Sequence, residues 1–528
     1  MNKLYYGDCL TIMEREMKLN SVDLIYLDPP FNSNRAYNAI YKDETGRPLP
    51  DQIEAFCDLW TLDSEREKAL KGLPNLMIEH GVDDSFIKFW KVWIGTLRDR
   101  DPKLVAYLSY MVERLFQMKL ILKPTGSIYL HCDSTYSHYL KVVMDGIFGQ
   151  ENYRNEVIWG YRTGGVSKKY WPRKHDTILF YVKSNAYKHN PPKERIYYDK
   201  PFFSPKKDEE GRYYADVFIR DVWDDIRAVI FDKKDVEGNY DDDFIRNVCD
   251  DIKALISSKK DAEGNYDDDF IRDIWADIKA VINVSSERLG YPTQKPVELL
   301  KRIIEASSNE DDVIFDPFCG CGTTIEAAHD LNRRWIGIDI AIHAIKRVSA
   351  VRLNERCGLI LDRDYEITGV PRTLEGAEDL WKRDRYQFQK WAVEEVDGFV
   401  TARKTVDGGV DGRLYYPADD ADDLKAMKLE VKGGKNVGIK DLRALAGIID
   451  TEDYPMGGFI TLKTLGRIQK LNFLDFCRTK GEVEIGGQSY PRLQILSVEE
   501  ILKGDRFITP AVRGKAASDQ LKIELPPQ

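Results

Sequence analysis

The feature that most constrains this chain is a glycine-rich run, Asp316-Pro317-Phe318-Cys319-Gly320-Cys321-Gly322-Thr323-Thr324. It follows an apolar stretch, Asp312 to Phe315, that reads as a strand, and it leads into a helix from about Thr324. A turn of this kind lets a ligand approach the backbone, because glycine has no side chain in the way. The third glycine of the dinucleotide fingerprint is missing, so the loop suits a nucleoside without a pyrophosphate. The next strand, Arg334 to Ile338, runs into Asp339, 23 residues after Asp316. An acid at that point can accept hydrogen bonds from ribose hydroxyls, although an ordinary surface acid fits the bare pattern equally well. Cys319 and Cys321 have no His or Cys partner at metal-ligand spacing and read as small residues of a tight loop.

A second signal lies near the start. Ser21 to Leu27 (SVDLIYL) is an apolar run ending at Asp28-Pro29-Pro30-Phe31. An aromatic amine is a poor nucleophile because its lone pair is delocalised into the ring. Two acceptors, the Asp28 carboxylate and the Pro29 carbonyl, can take its two N–H groups and pull the nitrogen toward tetrahedral geometry. Proline fixes the backbone and removes a competing donor, and Phe31 can stack on a base turned out of its duplex. Taken alone, the tetrapeptide fits a rigid surface turn as well. Between the two signals, residues 103–122 have helical periodicity, and Pro124-Thr125-Gly126 turns the chain into a strand from Ser127 to Leu130. Alternating strands and helices imply a doubly wound α/β sheet, with a separate domain from about residue 375.

The net charge of -10 is localised. Residues 208–282 hold 22 acidic and 11 basic residues, which leaves the rest of the chain at +1. That remainder can present a basic surface to DNA. The acidic stretch is a repeat of period 26: FIRDVWDDIRAVI from Phe218, FIRNVCDDIKALI from Phe244 and FIRDIWADIKAVI from Phe270. Phe218, Val222, Ile226 and Val229 fall at helical spacing, so each copy reads as a short amphipathic helix joined by a solvated acidic linker. The linkers do not match a calcium loop. Scattered cysteines, an N-terminus without a leader and no membrane-length apolar run suggest a cytoplasmic protein.

Together the two signals resemble the amino-methyltransferases of bacterial DNA modification, over most of residues 1–365. YYGDCL, LKPTGSIYLHCD, HYLKVVMDGIFG, HDTILFYVK and ERLGYPTQKP add to the match. DPPF precedes the glycine loop by nearly 290 residues, an order that resembles the circularly permuted beta group. The resemblance implies a permuted Rossmann-like sheet that uses S-adenosylmethionine to methylate a flipped base in double-stranded DNA, with residues 184–286 as the recognition region. It puts Asp8 at the cofactor adenine and Lys295-Pro296 at the start of the helix over the methionine end. Asp316, Pro317, Phe318, Gly320, Gly322 and Thr323 wrap the cofactor, and Asp339 meets its ribose. Asp28 in the first catalytic position points to N6 of adenine, with N4 of cytosine as the rival; methylation of RNA, or DNA binding without turnover, are further rivals. His131, Cys132 and Asp133 are expected to shape the strand end rather than act chemically.

Residues 375–505, with QFQKWAVEEV, GGVDGRLYY and KLEVKGG, resemble the Mrr-like branch of the restriction-endonuclease fold, followed by a tail at 506–528. Asp411, Glu430 and Lys432 would then form a Mg²⁺ site for phosphodiester cleavage. Gln389 stands where relatives carry an acid, so an inactive nuclease fold kept for DNA binding is the equal alternative. A restriction subunit or a homodimer is the partner question this leaves open.

Overall fold

The computed structural model describes residues 2–30, 36–39, 53–57, 60, 62, 64–160, 169, 175–198, 206–223, 294–400, 412–417, 424–434, 437–452 and 454–510. Its centre is a nine-stranded sheet. In chain order the strands are β1 (Asn2–Tyr6), β2 (Val22–Leu27), β3 (Leu122–Cys132), β4 (Tyr153–Gly160), β5 (His175–Val182), β6 (Val222–Trp223), β7 (Val313–Asp316), β8 (Arg334–Asp339) and β9 (Tyr365–Thr368). Across the sheet they lie in the order β6-β4-β5-β3-β2-β7-β8-β1-β9. Only β5 runs antiparallel to its neighbours.

All six residues of β2 are buried, as expected for a strand covered on both faces. From Leu24 onward the period of two divides them; Val22, before a register shift in the pairing with β3, packs with Ile25 and Leu27. Leu24 and Tyr26 join Leu4, Tyr6 and Ile314 against helices α4 (Val297–Ser307) and α5 (Thr323–Asp330). Ile25 and Leu27 join Tyr5, Phe315 and Ile338 against α1 (Cys9–Glu16), α2 (Pro102–Ile121) and α3 (Ser137–Phe148). Helix α2 starts where the sequence predicts, with Pro102 in its first turn and the Asp101 carboxylate accepting from Leu104 N at 3.0 Å.

One expectation is corrected. The first repeat does not begin as a helix: Phe218 ends the strand Tyr213–Phe218, which pairs with Lys193–Tyr198, and Val222–Trp223 is β6, added parallel to β4. The aromatic and β-branched content of Tyr213-Tyr214-Ala215-Asp216-Val217-Phe218 favours an extended chain, and sheet pairing overrides the helical spacing. The remaining repeats, from residue 224, lie outside the described residues.

The later region holds a five-stranded sheet: β10 (Phe399–Val400), β11 (Gly412–Pro417), β12 (Leu424–Lys432), β13 (Met456–Thr461) and β14 (Leu493–Ser497), in that spatial order. β10, β11 and β12 pair antiparallel, and β12, β13 and β14 parallel. Helices α6 (Leu374–Arg383) and α7 (Arg385–Glu395) lead into it. Met427, Leu429 and Val431 continue the apolar cluster that begins under the large sheet, so one core runs through both. Among the described residues, no helix is long and apolar enough to cross a membrane.

Candidate functional site

β2 and β7 are neighbours, with Leu24 beside Ile314 and Ile25 beside Phe315. From β2 the chain proceeds to β3 on one side; from β7 it proceeds to β8 on the other. Ligands of open α/β sheets bind where connections diverge in this way, beyond the carboxyl ends of the strands. Here those ends carry Asp28 and Asp316. They open on a cavity of about 350 Å³, within the usual range for a small-molecule site.

Asp8, Asp28, Pro29, Pro30, Lys295, Asp316, Pro317, Phe318, Gly320, Thr323 and Asp339 all line this cavity. Pro296 caps α4 and Gly322 caps α5 just behind the wall. Phe31 lies outside the described residues.

Lys295 Nζ, largely buried, donates to Asp28 Oδ2 at 2.6 Å. Asp28 Oδ1 is buried and has no hydrogen-bond partner among the described residues. A buried acceptor left in that state is costly unless something else binds it.

The glycine loop is organised by two acids. Asp316 Oδ1 accepts from Phe318 N at 3.0 Å and Oδ2 from Thr324 Oγ1 at 2.6 Å. Asp339 Oδ2 accepts from Gly320 N and Oδ1 from Ala341 N, both at 2.8 Å. Burial pushes the Asp316 carboxyl up to about 7, against the Thr324 and Phe318 hydrogen bonds and with help from Asp28. Burial likewise raises Asp339 to about 6. Gly322 sits at φ +78°, and a Cβ there would come within 2.9 Å of Val348.

Several residues with no local sequence signal complete the site. Arg352, fully buried, ties the loop from behind: it reaches Cys321 O and Glu326, and donates to Thr323 Oγ1 at 3.0 Å. Tyr26 lies on the wall, its hydroxyl 2.8 Å from His131 Nδ1, while His131 Nε2 is 3.1 Å from Asp176. His131 thus braces the wall from behind, next to the strand end. Trp60 and Tyr110 form an aromatic side, with ring centroids 4.8 Å apart. Asp8 lines the cavity, but its oxygens are engaged: Oδ1 accepts from Leu10 N and Thr11 N, and Oδ2 pairs with Arg114.

Residues 22–350 match the family model described as DNA methylase, N6/N4 type, a span that contains both Asp28 and Asp339. The chain belongs to the DNA methylase family. The type II methyltransferase M.EcaI of Enterobacter cloacae is 30% identical to this methylase over 257 residues, 46% of this chain and 56% of the relative. M.HpaI of Haemophilus parainfluenzae is 27% identical over 275 residues, 52% of this chain and 67% of the relative. The chain thus spans little more than half the length of M.EcaI. The solved PvuII DNA methyltransferase (cytosine-N4-specific) is 13% identical, covering 66% of this chain and 85% of its own, at a TM-score of 0.33, too loose a superposition to bear on the fold.

In the later region of the methylase, Glu430 and Lys432 share one face of β12, with Lys432 Nζ 2.7 Å from Glu430 Oε1. Glu430 Oε2 is buried without a hydrogen-bond partner among the described residues, and burial raises its carboxyl against the Lys432 ammonium. Asp411 lies outside the described residues.

Proposed function

We propose that this methylase transfers a methyl group from S-adenosylmethionine to N6 of an adenine extruded from double-stranded DNA. The observation that carries the reading is the buried Asp28 Oδ1, without a hydrogen-bond partner among the described residues, on the same cavity as Asp316 and Asp339. S-adenosylmethionine, when bound, supplies an electrophilic methyl on a positively charged sulfur. The chain supplies the rest. Asp339 accepts from the ribose hydroxyls, and the acids around the cavity favour a cation there. Asp28 Oδ1 and the Pro29 carbonyl accept the two amine N–H groups, which frees the nitrogen lone pair. Lys295, holding Oδ2, keeps the carboxylate turned so that Oδ1 meets the base. The N–C bond forms as the C–S bond breaks, S-adenosylhomocysteine departs, and the excess amine proton passes to Asp28 or solvent. An aspartate at position 28 supports adenine over cytosine. The order of the elements, Asp28 before the glycine loop, supports the permuted beta arrangement. Incubation with labelled cofactor and duplex DNA, followed by nucleoside analysis, tests the reading: N6-methyladenine is expected, and N4-methylcytosine or an unmodified duplex overturns it.

A second reading concerns the later region. The partnerless Glu430 Oε2 beside Lys432 favours a restriction-endonuclease-like domain in which Asp411 and Glu430 hold Mg²⁺ and Lys432 orients the attacking water. Mg²⁺-dependent cleavage lost in Lys432→Ala supports it. Cleavage absent from the wild type overturns it.

A further inference from the structure

Helix α7 belongs by sequence to the later region, yet it reaches the cavity. Tyr386 and Lys390, one turn apart, line the cavity wall, and Lys390 Nζ lies 4.9 Å from the Tyr386 ring centroid. One step round the helix, Gln387 Nε2 donates to Ile340 O at 2.8 Å, and two turns on the Glu394 carboxylate accepts from Ile342 N at 3.2 Å. Gln387 and Glu394 are both buried. Their partners, Ile340 and Ile342, lie one and three residues after Asp339, so α7 grips the segment that follows this acid. The other side of the helix, Phe388, Trp391 and Ala392, is fully buried in the core shared with β12. A single helix therefore packs against the later sheet and walls the cavity.

We propose that α7 is part of the cofactor site, with Tyr386 closing its nucleoside end and Lys390 acting as a positioning residue for the Asp339 carboxylate. The proposal rests on the reading of the cavity as the S-adenosylmethionine site. Among the described residues, the charged and titratable groups that act on Asp339 include Lys390 and Glu394 from α7, and Asp316 and Cys319 from the glycine loop. Lys390 is the cation of this set, and it opposes the burial that favours a protonated Asp339. A protonated carboxyl loses acceptor capacity for ribose hydroxyls, whereas the ionised form has lone pairs left after its two amide bonds. Lys390 keeps that capacity at neutral pH.

The test is calorimetric titration of the full chain with S-adenosylhomocysteine from pH 5.5 to 8.5, for wild type, Lys390→Met, Lys390→Arg and Tyr386→Ala. In the wild type, affinity falls as pH drops through about 6, where Asp339 gains its proton. Lys390→Met moves that fall upward, so that for a shift of one unit affinity drops about twofold near pH 7 and approaches a loss of about tenfold at pH 5.5, and recovers by pH 8.5. Lys390→Arg keeps the wild-type profile. Tyr386→Ala weakens binding at every pH. A Lys390→Met profile identical to wild type overturns the proposal, as does a loss independent of pH, which marks a merely structural side chain. Hydrogen exchange gives a readout that needs no variant: amides of 385–395 slow on binding S-adenosylhomocysteine, and an unchanged α7 overturns its place in the site. If the wild type binds no S-adenosylhomocysteine, the cofactor reading itself fails, which the titration distinguishes from a failure confined to α7.

Discussion

Strands β2 and β7 each have an aspartate at or beside both ends, and the two ends of the pair are treated in opposite ways. At the amino end, Asp23 is almost completely buried, yet Lys123 donates to it at 2.6 Å, Lys188 at 3.0 Å and Val313 N at 3.0 Å, while Lys188 also binds Asp312 at 2.6 Å. Burial pushes the Asp23 carboxyl up, but these donors outweigh it and hold it below the usual range. At the carboxyl end, Asp316 accepts, among the described residues, from one hydroxyl and one amide, and burial carries it to about 7. Asp28 next to it keeps one oxygen without a hydrogen-bond partner among the described residues. Satisfied acids hold strands together. At the carboxyl end it is Asp28 Oδ1 that is left for something that arrives later.

The largest expected effect comes from removing the partnerless acceptor. Asp28→Ala should lower methyl transfer by at least about 100-fold, read as labelled methyl incorporated into duplex DNA by the folded enzyme. A variant that keeps wild-type turnover would break the contrast. At the other end, Asp23→Ala should destabilise the fold by roughly 3 kcal/mol, because Lys123 loses its acid, Lys188 keeps only Asp312, and Val313 N loses its acceptor. Denaturant titration measures this, and affinity for S-adenosylhomocysteine should survive in the folded fraction. Gly322→Ala should cost about 1–2 kcal/mol from its left-handed backbone and its crowding of Val348, together with weaker cofactor binding by calorimetry.

The smallest effect is a difference in sign with pH. The folded-state value of Asp316 lies above its unfolded one, so its contribution to stability is present in acid and lost as pH rises through about 7. Asp23 has a lowered value. It contributes above its unfolded value of about 4 and loses that contribution as pH falls further. Melting temperature should therefore decline between pH 5.5 and 8 in the ligand-free protein, and Asp316→Asn should flatten the decline. A flat wild-type profile would show that burial does not govern Asp316.

The carboxyl end was legible in the sequence because its signals are local: an apolar run, a proline pair, a glycine turn and an acid one strand further on. The strand β2, the helix α2 and the placing of Asp28, Asp316 and Asp339 on one cavity all follow the expectation from those patterns. Nothing local announces the amino-end clamp, since Asp23 and Lys188 are 165 residues apart and either one reads as an ordinary surface charge. Arg352 and Lys390 were illegible for the same reason, as side chains that reach the loop from helices formed later in the chain. The start of the first repeat misled in the other direction. Its apolar spacing suits a helix, but strand partners at Lys193–Tyr198 and at β4 were available to claim it.

The strand order has a consequence for how this protein is made. β1 is synthesised first, yet its neighbours β8 and β9 emerge from the ribosome more than 330 residues later. Until they do, the leading strand has no partners along either edge, and the wall that carries Asp339 does not exist. A message cut short before that point yields a chain with an unfinished sheet, not a partly working enzyme. The large sheet, and the cavity at its carboxyl edge, thus close only once residue 368 has been made.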